Sequence, residues 1–303
     1  MKISLNPTYF CNFRCSFCYL TLDQLGDPKT INMDVLDSRL REVAKYAPIE
    51  HLDLYGGEVG LMKEHDWNTM KRVIRTHYDG PINVITNLSR VHPGFLEDDI
   101  DLSVSYDFDA RQAHQSVRNN MLALPKDFSI LMLAGKDLIG KSVDDMIHEL
   151  NLIGNLKSVE IKPYSTNQAN ADDVSFRDYE EFIKRWIESP VNKRFEFINE
   201  FLIQDSLEGF ANSFSDDHIY ITPNGKFGVL EFDEHDNEFF QEIDTMHEYK
   251  EWTIRERARV GANGTCSSCK YFGKCLSEHL REVKDLTKSC NGFKGLLDWY
   301  DAR

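Results

Sequence analysis

Seven cysteines fall into two groups at opposite ends of the 303-residue chain. Cys11, Cys15 and Cys18 form a C-x3-C-x2-C run, and Cys266, Cys269, Cys275 and Cys290 form C-x2-C-x5-C-x14-C. An odd count in two tight clusters does not read as a disulfide framework, which distributes paired cysteines through a short secreted chain. It reads as metal ligation, because thiolates are soft donors that hold iron-sulfur clusters or zinc. The first group is one thiolate short of the four that usually saturate a cluster. A cluster held there keeps one iron open to a small chelating molecule. Zinc suits this group poorly, since three cysteines without a neighbouring histidine do not close a tetrahedral site. The second group supplies four thiolates, enough to saturate one further cluster, with a zinc knuckle as the alternative.

Both groups need a scaffold, and the first half of the chain supplies a regular one. Short apolar runs predict strands at 2–6, 51–55, 82–86, 102–106, 129–133 and 158–162. Amphipathic stretches between them predict helices at 34–46, 65–77, 110–122 and 142–152, the first with Val35, Leu36, Leu40, Val43 and Ala44 at helical spacing. This βα rhythm predicts an α/β fold with a parallel sheet, arranged as a partial, open (β/α)6 barrel. The C-x3-C-x2-C run follows the first strand directly, which places it at the C-terminal face where barrel active sites collect. After Pro163 the rhythm changes: a helix is expected at 175–188, an aromatic-rich segment at 192–207, a β-hairpin at 219–232 turning at Pro223-Asn224-Gly225, and a helix from about 245 to 260. Two domains are expected, a barrel at 1–190 and a small hairpin-plus-helix iron-sulfur domain at 191–303. The stretch 231–244 carries seven acids and no Lys or Arg, and reads as a solvated loop.

The charge balance narrows the partners. There are 35 Lys and Arg against 50 Asp and Glu, a net charge of −15, which opposes the counterion release that drives phosphate binding. A nucleic-acid partner is not expected. No run of apolar residues is long enough to cross a membrane, and Met1-Lys2-Ile3-Ser4-Leu5 leads into the first strand without a signal peptide. A cytoplasmic location is expected.

At the first cysteine run the sequence resembles the radical S-adenosylmethionine (radical SAM) superfamily. Residues 9–19, Tyr-Phe-Cys-Asn-Phe-Arg-Cys-Ser-Phe-Cys-Tyr, look like its CxxxCxxC loop. The resemblance implies a 4Fe-4S cluster on Cys11, Cys15 and Cys18 whose open iron chelates the amino and carboxylate groups of SAM, with Phe17 near the adenine. Leu54-Tyr55-Gly56-Gly57-Glu58 after the second strand resembles the GGE motif, which implies that Gly56, Gly57 and Glu58 meet the SAM amino group. Glycines let a backbone approach closely, and a carboxylate suits an ammonium. Ile85-Thr86-Asn87 and Ser103-Val104-Ser105-Tyr106-Asp107 resemble two further strand-end segments, with Leu88 and Phe108 standing where the family usually has glycine. Asn87, Ser105 and Asp107 are carried over as SAM or substrate contacts, with plain strand-end capping as the alternative.

Behind such a core, the second cysteine group resembles a SPASM or Twitch extension holding an auxiliary 4Fe-4S cluster. A full SPASM domain holds two. The positions that would supply the other one offer Ser213 and Ser215, Val229 and Leu230, and His279 instead of cysteine. The resemblance implies generation of a 5'-deoxyadenosyl radical that abstracts hydrogen from substrate, with a flavodoxin or ferredoxin type reductant. The expected function is oxidative modification of a ribosomally synthesised peptide (cross-linking, epimerisation, oxidation or backbone excision), the alternative a dehydrogenase of a small alcohol or sugar-like substrate. Since the core starts by residue 3, a separate peptide-recognition protein is expected to deliver the precursor peptide. Tyr9, Tyr19, Tyr55, Tyr106 and Tyr164, at or near strand ends, are candidate proton or hydrogen donors, and no catalytic side chain is singled out among them.

Overall fold

The computed structural model describes residues 1–163, 174–214, 216–229, 240–276, 290 and 293–303. Its centre is a sheet whose first six strands are β1 (Lys2–Leu5), β2 (His51–Leu54), β3 (Ile82–Thr86), β4 (Ile100–Ser105), β5 (Phe128–Leu133) and β6 (Leu156–Lys162). All six run parallel in sequence order, the strand order of an opened β/α barrel. Four more strands extend the sheet at its two edges. Strand β7 (Glu196–Phe197) pairs parallel with β6, and β8 (His218–Ile221) pairs parallel with β1. Strands β9 (Phe227–Val229) and β10 (Gln241–Ile243) follow antiparallel. The sheet is therefore continuous across residue 190, and the hairpin after it grows from the edge of β1.

Alternation along the strands separates two faces. One carries Ile3, Leu5, Leu52, Leu54, Val84, Leu102, Val104, Ile130 and Val159, all buried. These residues share one core with Leu36, Leu40 and Val43 of α2 (Met33–Tyr46) and Trp67, Met70 and Ile74 of α3 (Glu64–Arg75). The other face is polar and internally hydrogen-bonded. Ser4 Oγ meets His218 Nε2 at 2.8 Å, Asn83 Nδ2 donates to Asp53 Oδ1 at 2.7 Å, Ser103 Oγ to Asn83 Oδ1 at 3.0 Å, and Ser129 pairs with Ser158 at 2.7 Å.

The remaining helices are α1 (Leu22–Gly26), α4 (His114–Ala123), α5 (Lys136–Ile139), α6 (Val143–Leu150), α7 (Phe176–Glu188), α8 (Ile198–Glu208), α9 (Met246–Ala262), α10 (Gly264–Ser267) and α11 (Lys294–Asp301). Several expectations shift. Helix α4 starts at His114 rather than 110, because Ala113 takes a left-handed φ of 53° that breaks the helical run. The aromatic-rich segment resolves into β7 and α8. Within the acidic stretch, 230–239 lies outside the described residues, but Gln241–Ile243 is strand β10 and not loop. Glu242 there accepts from Thr222 Oγ1 at 2.6 Å and Asn224 Nδ2 at 2.8 Å, and Asp244 pairs with Lys226. Val35 faces outward against the Gly225 turn rather than the core. No helix among the described residues is long and apolar enough to cross a membrane.

Candidate active site and a second cysteine centre

The loop after β1 is pinned on three sides before it reaches its cysteines. Thr8 bridges to Thr30, and its hydroxyl donates to Lys29 O at 2.9 Å. Cys11 N donates to Leu25 O at 3.1 Å, and the Arg14 guanidinium folds back onto the carbonyls of Cys11 (2.6 Å) and Phe13 (2.7 Å). The three cysteines share this one loop, in which Cys18 N donates to Cys15 O at 3.1 Å. Burial pushes the Cys11 thiol up to about 11, although the Phe13 N–H opposes this, and burial likewise raises Cys15 and Cys18. Thiols held this way become good thiolate ligands once a cation joins them.

Gly56 and Gly57 serve the cysteine loop directly. Gly57 N donates to Thr8 O at 2.9 Å and Glu58 N to Phe10 O at 2.8 Å, so the end of β2 runs alongside the loop. A Cβ on Gly57 would lie 2.2 Å from Phe10 O, and one on Gly56, whose φ is 151°, would lie 2.3 Å from Thr8 O. Only glycine fits either place.

Glu58 is fully buried and its carboxylate is already engaged. Oε1 accepts from Gly60 N (2.7 Å) and Thr86 Oγ1 (2.6 Å), and Oε2 accepts from Asn87 N (2.6 Å). Burial raises its carboxyl, and these bonds pull it down. Of the roughly four lone-pair positions on a carboxylate, three are taken. Asn87 carries the connection onward, its Nδ2 reaching Asn12 Oδ1 at 3.2 Å and Cys11 Sγ at 3.7 Å.

Asp107, almost wholly buried, accepts from Leu133 N at 2.6 Å through Oδ1 and pairs with Arg111 at 2.6 Å through Oδ2. Arg111 in turn lies 3.9 Å from Cys15 Sγ and 5.0 Å from the centre of the Phe17 ring. Ser105 is half-buried at the last position of β4. Leu88 (φ 48°) and Phe108 (φ 53°) both hold the left-handed backbone that glycine favours, at the two places where the resemblance has glycine. The turns keep their shape although the residue has changed.

Three participants were not legible in the sequence. Arg111 had only its spacing of four from Asp107 to mark it. Thr86 reads in the sequence only as part of a strand end. Asn6, at the end of β1, is fully buried, and neither of its amide atoms makes a hydrogen bond of acceptable geometry among the described residues, although Tyr55 lies close by. The candidate tyrosines separate. Burial pushes the phenols of Tyr19 and Tyr55 up; Tyr19 feels Tyr9, Tyr220, Cys18 and Cys11, whereas Tyr55 feels Tyr19, Tyr220 and Asp53. Tyr106 turns away to Glu149, at 3.4 Å. Tyr164 lies outside the described residues.

The second group forms its own centre. Asn263 caps α10 by accepting from Thr265 N and Cys266 N at 2.9 and 3.0 Å. Cys269 N donates to Cys266 O at 3.0 Å, and Gly273 turns the chain with φ 81° toward Cys275. Cys266, Cys269, Cys275 and Cys290 all line one cavity of about 410 Å³, with Tyr271, Phe272 and Lys294. Burial raises the Cys266 thiol, and the three other cysteines add to the effect. No three His, Cys, Asp or Glu among the described residues converge on a single-ion position. Ser213 is buried, with its hydroxyl on Cys275 O at 2.8 Å, and Val229 is buried in β9. Ser215, Leu230 and His279 lie outside the described residues.

Residues 5–111 match the family described as the Radical SAM superfamily. No curated protein matches. Solved structures share the fold over nearly the whole chain. Native anSMEcpe with bound AdoMet is 14% identical with a TM-score of 0.68, covering 100% of this chain and 97% of its own. An anSMEcpe structure with AdoMet and a peptide reaches 0.69 at 14% identity, covering 100% and 98%. Streptococcus suis SuiB bound to precursor peptide SuiA is 15% identical with a TM-score of 0.63, covering 94% and 73%.

Proposed function

We propose that this chain, built on the fold of radical SAM enzymes, is itself a radical SAM enzyme that modifies a ribosomally synthesised peptide by an oxidative reaction. The observation that carries the reading is the gathering of Cys11, Cys15 and Cys18 at the C-terminal end of β1, with the ends of β2, β3 and β4 tied to that loop. The donor set fits a 4Fe-4S cluster bound by three thiolates with SAM on the fourth iron. Together they supply one-electron reductive cleavage of SAM and removal of a hydrogen atom from substrate.

The chain's own residues bind and shield. Cys11, Phe13, Val59 and Leu88 are buried, and this apolar packing is proposed to help exclude water from the site. Gly56 and Gly57 hold the loop against the end of β2, Glu58 ties it to the end of β3 through Thr86 and Asn87, and the remaining acceptor capacity of Glu58 is proposed to serve the SAM ammonium. Phe17, Asn87, Ser105 and Asp107 are proposed to border SAM or substrate.

The second centre is read as an auxiliary 4Fe-4S cluster on Cys266, Cys269, Cys275 and Cys290, since four thiolates saturate one such cluster and all four cysteines line one cavity. Such a cluster offers a place for the electron that an oxidised substrate must lose. Support for a peptide substrate comes from the peptides bound by anSMEcpe and SuiB, whose fold this chain shares. A flavodoxin or ferredoxin type reductant and a separate recognition protein complete the proposal.

Anaerobic reconstitution tests it. Close to eight irons and eight sulfides per chain are expected, and replacing Cys11, Cys15 and Cys18 together with Ala is expected to halve that count and abolish 5'-deoxyadenosine formation. About four irons with stoichiometric zinc in the unaltered protein would remove the auxiliary cluster. Oxidation of a small alcohol with no turnover of any peptide from a neighbouring gene would replace the peptide with the alternative substrate.

A further inference from the structure

Arg111 stands against one of the three thiols, its Nη1 3.9 Å from Cys15 Sγ, and its placement is built rather than incidental. The side chain is mostly buried, with 14% of its surface exposed. Asp107 fixes it from behind through Nε at 2.8 Å and Nη2 at 2.6 Å, and Asp107 is fixed in turn by Leu133 N at 2.6 Å. The remaining guanidinium nitrogen, Nη1, points at Cys15 Sγ, 3.9 Å away, while the plane covers the Phe17 ring at 5.0 Å. One ionic pair, oriented with its positive end forward, thus stands against a ligand of the proposed cluster and the aromatic residue two positions later.

We propose that Arg111 is a positioning residue that raises the reduction potential of the cluster held by Cys11, Cys15 and Cys18, with Asp107 as its anchor. The inference rests on the reading that those three cysteines hold a cluster. The physical reason is that reduction adds one negative charge to the centre, and a fixed cation a few ångströms away in a partly buried site stabilises that added charge. Asp107 opposes the effect but lies behind the guanidinium. Arg14, the other arginine of the loop, spends its guanidinium on backbone carbonyls and so serves the loop's shape. The device suits a chain of net charge −15, whose overall field disfavours an added electron.

The test is a redox titration, followed by electron paramagnetic resonance, of the reconstituted full-length protein without SAM. Arg111→Gln removes the charge but keeps a hydrogen-bonding side chain, and Arg111→Lys restores the charge. Arg111→Gln is expected to make the cluster about tenfold harder to reduce, a shift of about 59 mV to more negative potential for a one-electron couple. Arg111→Lys is expected to recover most of that shift. Iron content serves as the control: unaltered protein that binds no iron at Cys11, Cys15 and Cys18 defeats the underlying reading, not this inference alone. Full iron loading with equal potentials in all three proteins overturns the inference, and so does an equal shift in Gln and Lys variants, which marks a packing effect. Equal potentials with weakened SAM binding in Arg111→Gln also overturn it, because Arg111 then reads SAM and not the cluster. If Arg111→Gln fails to fold, the Lys variant and unaltered protein, titrated at low and high salt beside Arg111→Met, decide the same question.

Discussion

Glu58 shows how the account works at the scale of one residue. A carboxylate whose only task were to meet a cofactor would leave the protein indifferent to its loss in the cofactor-free state. Here three buried or partly buried donors, Gly60 N, Thr86 Oγ1 and Asn87 N, point at it. Leaving such donors unsatisfied costs about 1 to 3 kcal/mol each, with partial relaxation by water. Glu58→Ala is therefore expected to destabilise the cofactor-free protein by about 3 kcal/mol or more in denaturant unfolding, and to weaken SAM binding about tenfold to a hundredfold. A variant as stable as the parent would mean that the three bonds contribute little, and unchanged SAM affinity would confine Glu58 to the scaffold. The sequence pointed to Glu58 through its place after the second strand. It could not show that Thr86 and Asn87 would meet it, because those contacts join residues 28 and 29 positions apart.

Among the elements, the turns at strand ends carry most of the design. The C-x3-C-x2-C run, the Gly56-Gly57 turn and the segments after β3 and β4 were legible because each is a short local pattern on a predicted strand. Leu88 and Phe108 were legible only as departures, and the structure supplies the reason they are tolerated. A left-handed backbone costs a non-glycine residue about 1 to 2 kcal/mol, while a fully buried leucine returns about 1.5 to 3 kcal/mol by leaving water. Leu88 is fully buried, so packing offsets the strain. Gly57 has no such exchange available, because the obstruction is backbone: Phe10 O at 2.2 Å and Tyr9 O at 2.3 Å from its absent Cβ. Gly57→Ala is expected to destabilise the protein by about 1 to 3 kcal/mol and to lower iron loading at the first cysteine group selectively. Gly154→Ala, where nothing lies within 4 Å, is the control and is expected to leave loading unchanged. Equal loading in both variants would mean that the glycine turn does not set the cysteine loop.

Taken as a whole molecule, the described residues form one ten-stranded sheet, with the first cysteine group on the loop after β1 and the second beginning at α10. The six-strand core was legible from its alternating rhythm, and all six predicted strands agree with the structure to within two residues at each end, the fourth and sixth each starting two residues earlier than predicted. The pairing of β8 with β1 was not legible, because Lys2 and His218 are joined by tertiary packing that no local pattern records. That pairing matters for function, since it places the segment leading to the second centre against the strand that leads to the first. The central claim is that the cluster at Cys11, Cys15 and Cys18 keeps an iron for SAM. The most direct measurement is the electron paramagnetic resonance spectrum of the reduced, reconstituted protein before and after SAM is added. The account predicts that SAM changes the spectrum of the unaltered protein and leaves unchanged that of the variant in which Cys11, Cys15 and Cys18 are Ala, whose remaining signal belongs to the second centre. A spectrum indifferent to SAM in the unaltered protein, or an equal response in the variant, would contradict it.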